Sequence, residues 1–122
     1  MHQYSFERLE VWKFAKDLCV YIYQLTKKFP DAERFGITSQ MRRAAISICS
    51  NIAEGSSRMS KKDQSHFYTM AFSSTMELLN QLIISSELKF ILEEEMIETR
   101  LKIEQITKGL SNLKRSILIP KP

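Results

Sequence analysis

The chain has 122 residues, of which 43% are hydrophobic, enough for one domain with a single core and too few for two. It holds only three Gly and three Pro, two of the Pro in the last three residues, so the turns that an all-β fold needs lack their usual residues and helices are expected. Its net charge of +4 and pI of about 9.1 are mild for a nucleic-acid binder, which makes the distribution of charge more informative than its sum.

Helix 1 is predicted over about Glu7 to Lys28, where Val11, Trp12, Ala15, Leu18, Cys19, Ile22, Leu25 and Phe29 recur at three- and four-residue steps before Pro30 stops it. Helix 2 is expected to start after Thr38 or Ser39, either of which could cap its first turn, with Gly55 as a left-handed end. Ser60 and Asp63 resemble a reciprocal capping pair, which opens helix 3 there and carries it to about Leu88. Helix 4 follows Lys89 to Leu92, with Glu93, Glu94 and Glu95 in its first turn and a stripe of Met96, Ile103, Ile106, Leu110, Leu113 and Ile117. Connections this short favour antiparallel neighbours, so the fold class is all-α, an up-down-up-down four-helix bundle. It forms one domain over 1–122, with frayed ends at about 1–5 and 118–122, the latter including the closing IPKP.

Two helices carry apolar residues on more than one side. In helix 2, Ile37, Met41, Ala44, Ala45, Ile48 and Ile52 form one stripe, while Ile46, Cys49 and Ala53 fall nearly opposite at 100° per residue. In helix 3, the line Phe67, Ala71, Ser74, Leu78 and Leu82 adjoins the line Tyr68, Phe72, Thr75, Leu79 and Ile83. Helix 4 reads as a narrow outer helix, with Glu98, Arg100, Lys102, Glu104 and Lys108 facing solvent. Either helix 1 covers the second faces within one subunit, or copies of the chain cover one another, since large apolar patches are rarely left exposed on monomers. The second account predicts a closed homo-oligomer. Helix 2 also bears a polar line, Gln40, Arg43, Ser47, Asn51 and Glu54, that is either a solvated stripe or a hydrogen-bonded seam at a subunit boundary.

The proposed topology brings Arg8, Arg58, Lys61, Lys62, Lys114, Arg115 and Lys121 to one end, and Asp31, Glu33, Glu93, Glu94 and Glu95, with only Arg34 and Lys89 among them, to the other. Such charges stabilise helix dipoles whatever the partner. Repeated around an axis, however, the basic ends form a positive ring suited to the phosphate backbone of RNA or DNA. No zinc finger, RRM-type sequence or helix-turn-helix supports base-specific reading.

An enzyme is not expected. His2 and His66 are the only imidazoles, and His66 is distant from any Ser or Cys motif. Arg58 and His66 are separated by seven residues, more than the Arg-x4-6-His spacing of HEPN ribonucleases. Glu93, Glu94, Glu95 and Glu98 do not match the Glu and Glu-x-x-His pattern of di-iron bundles, and no Gly-rich phosphate loop occurs. No cofactor or metal is expected. Cys19 and Cys49 belong to no metal motif. Both lie roughly 14 Å below the turn between helices 1 and 2 at ~1.5 Å rise per residue, so they could be neighbours, either as two buried thiols or as a disulfide. The N-terminus lacks the features of a secretory signal, and no stretch reaches the roughly 18 apolar residues of a membrane span, so a cytoplasmic location is expected.

The segment FPDAERFGITSQMRRAAISICSNIAEG, Phe29 to Gly55, resembles the four-helix bundle family named for products encoded in intervening sequences of bacterial 23S ribosomal RNA genes. The resemblance spans about Phe6 to Ile117. Its most specific parts are Phe29-Pro30, Glu33, Gly36, Gln40, Arg43-Ala44, Ser47-Ile48 and Asn51 to Gly55, with Leu9, Trp12 and Tyr23 upstream and Ala71, Ser74, Glu77 and Leu78 downstream. Cys49 stands where members often have Pro, and Ser73 where Gly is common, which removes the basis for a helix distortion or an unusually close contact there. The resemblance implies an antiparallel four-helix bundle, commonly a ring-shaped homopentamer, without enzymatic activity. Accessory proteins of diversity-generating retroelements look similar, and they bind nucleic acid and a reverse transcriptase, so both a nucleic acid and a protein are implied as candidate partners. A protein-interaction scaffold that does not touch nucleic acid is the alternative.

Overall fold

A computed structural model describes residues 1–118; the expectations for Lys121 and the whole of the closing IPKP lie outside the described residues. Four α-helices follow one another: α1 Glu10–Thr26, α2 Ile37–Ser56, α3 Lys61–Glu87 and α4 Glu93–Leu118. Short 3-10 turns at Ser5–Arg8 and Asp31–Glu33 precede α1 and α2. Each helix packs on its sequence neighbours, α1 and α4 also pack on each other, and among the described residues the backbones of the diagonal pairs stay apart. Every cross-helix bond has the antiparallel register. Arg42 reaches Thr26, Ser47 meets Ser74, Lys114 donates to Thr69 and Lys28 pairs with Glu95.

The predicted stripes become the core. Leu18, Ile22, Met41, Ile48, Ile52, Leu78, Leu82, Ile106 and Leu110 are fully buried, each such side chain stabilising the fold by roughly 1.5–3 kcal/mol relative to exposure. The helix ends differ more from expectation. Leu9 is extended (φ −71°, ψ 124°), so α1 starts three residues later than predicted. The chain before it is nonetheless anchored, because Phe6 packs edge-on against Trp12 at 5.0 Å and the Glu7 carboxylate accepts the Tyr4 N–H at 2.7 Å. Neither Thr38 nor Ser39 caps α2. The helix starts at Ile37 with Gly36 as its N-cap residue, which leaves Thr38 inside the helix with its hydroxyl buried and unpartnered.

Gly55 is not a left-handed end. It is helical, α2 passes through it, and a Cβ there would stand 2.7 Å from Tyr68 Cε1 and 3.0 Å from Phe67 Cβ. Its lack of a side chain lets α3 come close to α2. Instead, Ser56 and Ser57 close the end of α2 by donating their hydroxyls to the carbonyls of Ala53 and Glu54. Among the described residues, the one with positive φ is Lys89 (65°), after α3. There Phe90 N–H donates to the Ser85 carbonyl and Lys89 N–H to that of Ser86, the doubled pattern that closes a helix through a left-handed residue.

Of the predicted Ser60–Asp63 pair, the hydroxyl half forms: Ser60 Oγ accepts the Asp63 N–H at 3.1 Å. The first turn of α4 is fixed by Glu95, whose carboxylate accepts the Leu92 N–H at 2.8 Å and pairs with Lys28. Partial burial pushes this carboxyl upward, but the Lys28 ammonium and the Leu92 N–H outweigh it and hold it below the usual range. Both α2 and α3 run unbroken through Cys49 and Ser73.

Candidate nucleic-acid interface and interaction surfaces

The antiparallel order brings the predicted basic residues to one end. Arg8 lies in the turn before α1, Arg58 follows α2, Lys61 and Lys62 open α3, and Lys114 and Arg115 lie in the last turns of α4. Arg58 is fixed on three sides. Its guanidinium sits over the Phe67 ring at 4.5 Å, it reaches Glu54 at 3.7 Å, and its carbonyl accepts from Gln64 at 3.0 Å. Lys114 donates to Thr69 Oγ1 at 2.7 Å, which ties the end of α4 to α3. Arg8 donates to the Gln3 carbonyl at 3.1 Å. Among the described residues, Arg58 alone of these cations has a carboxylate within ion-pair distance.

The same end also carries Glu7, Glu10, Glu54 and Asp63, which the reading of this end as purely basic left out. The opposite end is likewise more mixed than expected. Lys27 and Lys28 close α1 beside the acidic start of α4, and Lys28 bonds Glu95. The dipole contribution is therefore partly realised as a specific ion pair.

The polar line of α2 runs along its groove with α3. Ser47 and Ser74 hydroxyls are 2.8 Å apart, and Asn51 Nδ2 donates to the Ser47 carbonyl and hydroxyl at 2.9 and 3.1 Å. Toward the other end of the groove, Gln40, Arg43, Ala44, Ser47 and Glu77 line a cleft of about 340 Å³. There Gln81 donates to Glu77 at 3.3 Å while its own Oε1 is buried without a partner. Glu54 lies at the basic end, paired with Arg58. So Ser47 and Asn51 form a seam inside the subunit, and Gln40 and Arg43 remain exposed beside it.

The chain matches the 23S rRNA-intervening sequence protein family over residues 7–112. It belongs to that family. It is also similar to a protein of unknown function from the S23 ribosomal protein family of Bacteroides thetaiotaomicron VPI-5482, known from a crystal structure at 1.70 Å resolution. The two superpose with a TM-score of 0.77 at 20% identity, over 85% of this chain and 97% of that one, a likeness that shows the shared fold. No curated protein matches.

In this intervening-sequence family member part of the surplus apolar surface lies on α2 and α3, where the sequence suggested, and part lies on α4. The second stripe of α2 faces α1, which half-covers Cys49 and Ala53 and leaves Ile46 46% exposed. On α3, Tyr68 and Thr75 of the second line are buried, whereas Phe72 and Ile83 are 41% and 42% exposed. α4 is not merely a polar outer helix, because Ile97 and Leu101 are 56% and 59% exposed one turn apart. A series of clefts follows the α3–α4 groove. Thr69, Phe72, Leu110 and Lys114 line one, Met76, Leu79, Arg100 and Ile103 the next, and Leu92, Met96 and Ile97 the last. Ile97 and Leu101 were legible as an i, i+4 pair on the side away from the core stripe, a signal that attention to that stripe alone passes over.

Among the described residues no His, Cys, Asp or Glu cluster could hold a metal ion, and no helix is long and apolar enough to cross a membrane. His66 packs edge-on against Phe67 with ring centroids 5.8 Å apart.

Proposed function

We propose that copies of this chain assemble into a closed, non-enzymatic ring, of five subunits as the family resemblance implies, whose repeated basic ends hold RNA or DNA by the phosphate backbone. The observation that carries this reading is the convergence of Arg58 from the loop after α2, Lys61 and Lys62 from α3, and Lys114 and Arg115 from α4 on one end, with only Arg58, among the described residues, paired to a carboxylate. Arg58 is held in place by Phe67 and Glu54, so it loses less freedom on meeting a phosphate than a free surface Arg would. Self-association is supported by the exposed apolar side chains beside the α3–α4 groove, Phe72, Ile83, Ile97 and Leu101. With no base-reading motif, the contact is to backbone and its affinity depends on salt.

The test is a salt-titrated binding measurement on the purified oligomer with single-stranded RNA and duplex DNA. Affinity is expected to fall steeply as salt rises. The triple change Arg58→Glu, Lys61→Glu and Lys62→Glu is expected to abolish binding while light scattering reports the same assembly. An intact oligomer that retains no nucleic acid at low salt would overturn the reading in favour of a protein-interaction scaffold. That second reading is favoured by the carboxylates Glu7, Glu10, Glu54 and Asp63 at the same end, which weaken its pull on a polyanion.

A further inference from the structure

We propose that Cys19 of α1 and Cys49 of α2 form a dithiol site that a hydroperoxide or a small-molecule disulfide oxidises to a disulfide bond joining the two helices. The register of the helix pair places them together. Arg42 Nε donates to Thr26 Oγ1 at 2.9 Å, and seven residues back along α1 and seven forward along α2, about two turns on each helix, are Cys19 and Cys49. Both are free thiols, and both are half-buried against the core.

The two sulfurs have different roles. The neighbouring Cys49 thiol lowers the Cys19 thiol to about 7 against the opposing effect of burial. The neighbouring Cys19, then burial, pushes the Cys49 thiol up. Several charged groups on the packed elements are engaged elsewhere, while Lys13 and Asp17 of α1 and Arg43 of α2 are exposed. Lys16 lies over the Trp12 ring, Arg42 is held by Thr26 and the Tyr23 carbonyl, and Glu98 and Lys102 of α4 address Tyr21. Glu7 and Arg8 of the turn before α1 bond Tyr4 and Gln3.

Cys19 is thus the attacking thiolate and Cys49 the residue that closes the bond. With a hydroperoxide, the Cys19 sulfur takes the distal oxygen as the O–O bond breaks, leaving a sulfenic acid and, after protonation, water or an alcohol. The Cys49 sulfur then attacks the Cys19 sulfur, the S–O bond breaks, and the Cys49 proton leaves with the hydroxide as water. Two thiols have lost two electrons, and the O–O bond has gained them. With a disulfide oxidant, Cys19 displaces one small thiolate to form a mixed disulfide and Cys49 displaces the second.

The experiment treats the full chain with one equivalent of hydrogen peroxide, alkylates it with iodoacetamide, and maps it by mass spectrometry. The expected product has lost two hydrogens, carries no alkylation at either cysteine, yields a Cys19–Cys49 linked peptide, and returns to two free thiols with dithiothreitol. In Cys49→Ser and Cys49→Ala, oxidation is expected to stop at a Cys19 sulfenic acid that dimedone traps. The pH of half-maximal Cys19 alkylation is expected to rise from about 7 toward the ordinary thiol range in Cys49→Ala. A covalent dimer, sulfinic acid at Cys19 beside a free Cys49, or two thiols still alkylated after oxidation would overturn the proposal. So would a Cys19 alkylation profile in the unmodified chain that already lies in the ordinary thiol range.

Discussion

The two flanks of α3 meet their neighbours in opposite ways. Toward α2 the contact is close, built on small or absent side chains: Gly55 under Tyr68, Ala44 and Ala71 in the core, and a hydroxyl pair at Ser47 and Ser74. Toward α4 the residues are large, and the groove between Phe72, Leu79, Arg100 and Leu110 stays open along its length. Small residues let backbones approach until little is left over for solvent or for a partner. Large residues fill the core with part of their surface and leave the remainder exposed. The α2 flank therefore secures the fold, and the α4 flank leaves apolar surface open to solvent.

The largest expected effect comes from breaking the close flank. Gly55→Val inserts a branched side chain where even a Cβ meets Tyr68 at 2.7 Å, and overpacking of this kind is expected to cost about 3 kcal/mol, read as a lower midpoint in urea unfolding. A smaller effect is expected from the hydroxyl pair. Ser74→Ala removes one partner of a 2.8 Å bond while Asn51 still serves Ser47, for a loss of about 1 kcal/mol in the same measurement. The least effect on subunit stability is expected on the open flank. Ile97→Lys with Leu101→Lys changes exposed positions, which costs within about 0.5 kcal/mol, yet light scattering is expected to show smaller assemblies. An unchanged assembly would show that the α3–α4 groove is not the surface on which copies meet.

Much of this architecture was legible in the chain. Three- and four-residue spacing identified all four helices, and residues such as Leu18, Ile48, Leu78 and Ile106 fall in the core as their stripes require. Charge order along an antiparallel topology placed Arg58, Lys61, Lys62, Lys114 and Arg115 at one end. Gly55 was misread because a glycine that ends a helix and a glycine that admits a neighbouring ring look alike in sequence. Only the position of Tyr68 separates them. The polar line of α2 was legible as a line, but whether Ser47 and Asn51 faced solvent or a partner depended on Ser74 standing across the groove.

Local periodicity, a property of neighbouring residues, was enough to determine that this protein is helical, where its core stripes lie and which charges share an end. Tertiary structure alone decided that α1 only half-covers the second stripe of α2, and that Ile97 and Leu101 of α4 join the exposed apolar side chains of α3. The reason is physical: a helix wheel gives the direction of each side chain around its own axis, whereas exposure depends on how closely the next axis approaches, and that distance is set by side-chain volumes on both helices at once.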